Sequence, residues 1–174
     1  FYEVDLSLDE IISNSDFGTR ALPVGTSGND AFVLSYSGTN VTITLSTNSG
    51  PASLIGTFPL TSPLVVDGGG GTDSVRIVGT TGIDDFNVAS ANVVLTNNHQ
   101  VTLSGIEQKT LAGAAGNDNY IFDSDAALGT FTLDESGGGI DLLNFGQSDQ
   151  AVNINLAQSP LQVVNANLNL ILGA

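Results

Sequence analysis

Apolar and polar residues alternate with period two through most of the chain, as in "NVTITL" (40–45), "HQVTL" (99–103) and "AVNINL" (151–156). Such alternation fits a strand with one face in a core and the other in solvent. No stretch carries a convincing helical period. "DLSLDEII" (5–12) comes nearest, and it also reads as strand. The pattern therefore predicts an all-β chain.

A glycine turn punctuates the alternation. The pattern G-x-x-G-x-D ends at Asp30, Asp73, Asp84 and Asp118, and the variant "SGGGID" ends at Asp141. Positions two and four beyond each aspartate are apolar: Phe32 and Leu34, Val75 and Ile77, Phe86 and Val88, Tyr120 and Phe122, Leu143 and Phe145. The separations of 43, 11, 34 and 23 residues lie near multiples of about eleven. Further turn signals fill the gaps, among them "SGTN" (37–40), "NSGP" (48–51), "TNN" (96–98) and "SGIE" (104–107).

Two architectures accommodate short strands at this spacing. One is an antiparallel β-sandwich. The other is a right-handed parallel β-solenoid with about 22 residues per coil, which repetition of one turn favours, because stacked coils set like turns above like turns. Folding the chain at that period places Asp30, Asp73, Asp118 and Asp141 on one edge and Asp84 and Glu107 on the other. The expected organisation is an N-terminal cap or linking strand over 1–24, a repetitive core over 25–158, and a C-terminal strand or cap over 159–174.

Charge narrows the partners. Eighteen acidic residues face three basic ones, a formal net charge of −15. That disfavours nucleic acid and anionic membrane, which need clustered Lys or Arg, and suits metal cations. No run approaches the roughly 20 apolar residues of a membrane span. The absence of cysteine is at ease outside the cell. The start at Phe1, without Met, suggests a processed chain or an excised piece.

The glycine-aspartate phrase, with an apolar residue two places on, resembles the repeats-in-toxin (haemolysin-type calcium-binding) repeat over about residues 25–146. It looks like the widely spaced version found in large bacterial surface proteins and adhesins. The resemblance implies calcium at the turns, although no two phrases stand nine residues apart, so that family's stacked, shared ions do not carry over. Ca²⁺ takes six to eight oxygens from carboxylates, carbonyls and water. The first candidate set is Asp118, Asp134, Glu135 and Asp141, from turns one coil apart. The second is Asp67 with Asp73, the third Asp84 and Asp85 facing Glu107, and Asp30 stands alone. Turn aspartates also hydrogen-bond their own backbone, a role that needs no metal.

Other chemistry has little support. His99 is the sole histidine and reads as a solvated turn residue, which excludes histidine-based zinc. "GxSxG" is absent, and "GGGG" (68–71) flanked by aspartates is wrong for an anion. The expected role is a non-catalytic, extracellular structural or adhesive module of a bacterial surface protein. Its expected partners are neighbouring modules or subunits and surface polysaccharide. The alternatives are a filament or surface-layer subunit joined by β-strand addition through 1–8 and 161–172, and a polysaccharide-active enzyme.

Overall fold

The computed structural model describes residues 23–155 and 161–173, so nearly all of the expected N-terminal segment lies outside the described residues. All regular structure among them is strand. One sheet holds β1 (Asp30–Ser37), β2 (Asn40–Thr47), β3 (Ser53–Pro59), β5 (Ser74–Val78), β9 (Gln108–Ala112), β11 (Gly129–Asp134), β13 (Leu161–Val163) and β14 (Leu168–Gly173). The other holds β4 (Leu64–Asp67), β6 (Asp85–Ser90), β7 (Val93–Thr96), β8 (His99–Ser104), β10 (Asn119–Phe122) and β12 (Leu142–Asn144). Their spatial orders are β13-β14-β11-β9-β5-β1-β2-β3 and β12-β10-β6-β7-β8-β4. Both sheets are mixed, and neither closes on itself.

The alternation sets the core. Phe32, Leu34, Val75, Ile77, Phe86, Val88, Tyr120 and Phe122 are all at most 2% exposed, whereas Val33, Arg76, Asn87 and Ile121 between them are half-buried. The two sheets share one apolar core. Phe122 of β10 meets Phe131 of β11 edge-on at 5.7 Å, and Phe86 stacks on Tyr120 at 5.1 Å within the smaller sheet. Burial of each such ring contributes roughly 2–3 kcal/mol.

Strands entered from glycine-aspartate turns pair in parallel with one another, β1 with β5 and β6 with β10 and β10 with β12. In the larger sheet β1, β5, β9, β11 and β14 form a parallel ladder; in the smaller, β6, β10 and β12 do, as do β4 and β8. Strands joined through asparagine-rich turns double back instead: β1–β2, β2–β3, β6–β7, β7–β8 and β13–β14 are antiparallel. The expectation that every turn advances the chain by half a circuit is thereby corrected. Asn97 and Asn98 both adopt positive φ (50° and 66°), the type I′ geometry whose twist matches a two-strand hairpin. Asn48 and Ser49 also take positive φ at the β2–β3 reversal, as does Gly38 in "SGTN".

These hairpins explain the irregular spacing. Phe32 lies beside Val75 because one circuit carries the β2–β3 excursion, and Phe86 lies beside Tyr120 because another carries β7 and β8. The chain from β9 through β10 to β11 and β12 has no excursion. There Lys109 pairs with Phe131, and Tyr120 with Leu143, at the expected repeat of about 22 residues. One further expectation falls: residues 151–155 of "AVNINL" form no strand. Residues 161–163 pair with 169–171 as a hairpin at the edge of the larger sheet.

Candidate functional site: an acidic corner

The glycine-aspartate phrase has a mechanical explanation. In each turn the aspartate side chain folds back onto the first glycine. A Cβ on Gly25, Gly68, Gly79 or Gly113 would sit 2.7, 2.6, 2.6 or 2.1 Å from the Oδ2 of Asp30, Asp73, Asp84 or Asp118. The second glycine passes under the preceding circuit: a Cβ on Gly116 would come within 2.3 Å of the Gly82 carbonyl oxygen. Only glycine tolerates both approaches.

The same aspartates tie circuit to circuit. The Asp30 N–H donates to Asp73 Oδ1 (2.7 Å), and the Asp73 N–H to Glu107 Oε2 (2.8 Å). At the other corner the Asp84 N–H donates to Asp118 Oδ1 and the Asp118 N–H to Asp141 Oδ1, both at 2.8 Å. Each carboxylate thus accepts a main-chain N–H from the circuit before it. This corrects the edge assignment: Asp30, Asp73 and Glu107 share one corner, and Asp84, Asp118 and Asp141 share the other.

The second carboxylate oxygen divides the turns into two kinds. Thr26 donates its N–H and hydroxyl to Asp30 Oδ2, at 2.5 and 2.9 Å. Thr80 does the same for Asp84, at 2.7 and 3.0 Å. Gly69 and Ala114 hold the equivalent positions before Asp73 and Asp118, and both adopt positive φ (84° and 68°). There the cap is missing, and Asp73 Oδ2 and Asp118 Oδ2 are buried without a hydrogen-bond partner. Asp30 Oδ1, at the head of its corner, is also left without one.

At Asp118 the open turn meets other acids. Carboxylate oxygens of Asp118, Glu135 and Asp141 lie within 4.8 Å of one another, the one such group of three acids among the described residues. The Tyr120 hydroxyl, on a residue 1% exposed, lies beside Glu135, close enough that each shifts the other's titration, although no hydrogen bond of good geometry joins them. Burial first, then the Asp141 and Asp118 charges, pushes Glu135 up to about 7. Burial likewise raises Asp118, with the Asp84 and Asp141 charges adding to it. The Tyr120 phenol is raised by burial and by Glu135.

The other expected ligands are engaged elsewhere. Asp134 leaves the first set: the Ser136 hydroxyl and N–H, with Arg76 at 2.7 Å, hold it down to about 2. Asp67 Oδ1 accepts the Gly69 N–H at 3.2 Å. Asp84 accepts from Asn97, and Asp85 Oδ1 accepts from Asn119 at 3.1 Å, so neither faces Glu107. His99 is corrected too. It is 4% exposed, its Nε2 lies 2.9 Å from the Ser62 carbonyl, and its Nδ1 lies 2.8 Å from the Tyr36 hydroxyl. Those partners set the tautomer: Nε2 donates and Nδ1 accepts.

Sequence reasoning missed Tyr120. Its signal was a hydroxyl at a position where the other phrases carry Phe32, Val75, Phe86 and Leu143. It also missed that "SGIE" closes a corner, because Glu107 replaces the aspartate and Lys109 the apolar residue that follows. Lys109 lies in the core row with its Nζ 5.4 Å from the Phe131 ring centre. Compared with known proteins, the chain matches no family model, no curated protein and no solved structure.

Proposed function

We propose that the chain is a non-catalytic structural and adhesive module, built as a right-handed parallel β-solenoid whose coils carry hairpins. The observation that carries this reading is the carboxylate-to-amide ladder at both corners, which couples each circuit to the next. Backbone ladders reinforced in this way resist bending, the property of a spacer. The acidic composition disfavours lateral association by like-charge repulsion and suits an extracellular surface. Neighbouring modules are its partners, with surface polysaccharide as a second class.

The filament reading needs self-association and has one supporting feature: Leu161 and Val163 on edge strand β13 are 51% and 60% exposed. Sedimentation over a wide concentration range separates the two. A monomer throughout supports the spacer; mass that grows with concentration moves the assignment to the filament.

A further inference from the structure

We infer that copies of this chain dock end to end, the β3 edge of one against the β13 edge of the next. Charge is the first observation that singles out these edges. No Asp, Glu, Lys or Arg occurs from Ala31 to Val66 or from Gln150 to Ala174. Those stretches supply β2 and β3 at one end of the larger sheet, and β13 and β14 at the other. The acids of the described residues lie at Asp30 and between Asp67 and Asp149. Like-charge repulsion thus opposes contact along the flanks and spares the two ends. Edge strands are commonly protected by charge, and both of these lack it.

Exposed apolar side chains mark the same edges. Leu54 on β3 is 66% exposed, beside 51% and 60% for Leu161 and Val163 on β13. Leu54 pairs with Thr44, and Leu161 and Val163 pair with Ile171 and Asn169. Ile43, Leu45 and Leu170, the sequence neighbours of those partners, are buried in the core, so all three exposed residues stand on the outer face. Copies stacked in one direction continue that face and bring Leu54 beside Leu161 and Val163. Strand sense agrees. β3 runs with β1 after two reversals, β1 belongs to the parallel ladder that reaches β14, and β13 runs against β14. The unlike edges therefore meet antiparallel, the stronger pairing. No strand follows either edge among the described residues; the Asn153 N–H reaches the Val164 carbonyl just past the end of β13. Pro59 closes β3 and confines new pairing to residues 53–58. The inference rests on the reading, common to spacer and filament, that copies of this chain are neighbours.

The chain has no cysteine, so introduced ones report contact cleanly. Leu54→Cys is mixed with Leu161→Cys or Val163→Cys at about 1 mM, near the effective concentration of closely tethered modules, and oxidised mildly. At least one mixture is expected to give a disulfide-linked dimer at several times the yield of either variant alone. Thr57→Asp, which places a charge on the β3 edge, should remove most of that product. Gln100→Cys, exposed on β8 of the smaller sheet, should give none above background when mixed with Leu54→Cys. Melting curves establish that each variant is folded. Equal yields from Leu54→Cys alone and from the mixtures overturn the inference, because like ends then meet. A product that Thr57→Asp leaves unchanged also overturns it, as random collision. Mass that grows in sedimentation without any Leu54-linked product removes these edges and leaves the filament standing; a monomer without product removes them and leaves the spacer.

Discussion

Thr80 and Ala114 occupy the same place in stacked turns of one corner, four residues before Asp84 and Asp118, and leave those aspartates in opposite states. Thr80 turns its N–H and hydroxyl onto Asp84 Oδ2, and the Asn97 side-chain amide donates to Oδ1, so that a fully buried carboxylate is satisfied on both sides. Ala114 takes a left-handed backbone, its N–H is lost to the aspartate, and Asp118 Oδ2 is left without a hydrogen-bond partner. The residue that decides whether the second oxygen of the turn aspartate is hydrogen-bonded is therefore not the aspartate but the residue four places before it.

The contrast is broken most severely by removing each carboxylate in turn. Asp84→Ala strands the Thr80 N–H, the Thr80 hydroxyl and the Asn97 amide, and is expected to cost about 3 kcal/mol or more. For a domain of this size that lowers the melting temperature by roughly 6–12 °C. Asp118→Ala strands only the Asp84 N–H and relieves repulsion with Asp141 and Glu135, so its cost in chelator should be under about 1 kcal/mol. Equal losses in circular-dichroism melts would show that the two turns do not differ in kind.

Proton linkage gives a gentler test. Glu135 is raised to about 7 in the folded chain, above its ordinary carboxylate range, and Asp118 is raised as well. A raised carboxyl favours folding while protonated. The contribution is thus full below about pH 4.5 and is lost as pH climbs through about 7. In chelator the melting temperature should fall by a few degrees between pH 5 and pH 8, at roughly 2–4 °C per kcal/mol. Glu135→Gln should remove most of that fall. A flat profile in wild type would mean that Glu135 is ionised and at ease in the fold.

How much of this was legible follows from what each residue does. The inward rows at Phe32, Val75, Phe86 and Tyr120 were readable because period two depends only on side-chain direction. The forward turns were readable because the first glycine of each is required by contact with the aspartate, and the second, at Gly71 and Gly116, by contact with the turn before it. Hairpin reversal at Asn48–Ser49 and Asn97–Asn98 was hidden: asparagine serves a forward turn and a type I′ reversal alike, and only the backbone sign separates them. Counting those reversals as half-circuits put Asp84 on the same edge as Glu107, when it stacks against Asp118. The pairing of turns 113–118 and 134–141 survived because no hairpin interrupts that stretch. Tyr120 was hidden because an inward aromatic reads as core until its hydroxyl is found beside Glu135.

The smallest test uses one substitution at both equivalent positions. Glycine for Thr80 removes the hydroxyl that donates to Asp84 and accepts the Gly82 N–H, and loosens a turn that needs no left-handed residue. The expected loss is about 1–2 kcal/mol. Glycine for Ala114 removes no hydrogen bond and relieves an alanine held at φ 68°. Left-handed geometry costs an L-residue roughly 1–2 kcal/mol, and the greater freedom of unfolded glycine returns part of that, so Ala114→Gly should stabilise by about 0.5–1 kcal/mol. Opposite signs in parallel urea melts would locate the difference between the turns in the backbone before the aspartate. Two losses of similar size would place it instead in the side chains that surround Asp118, and the open turn would then follow from the acidic corner rather than create it.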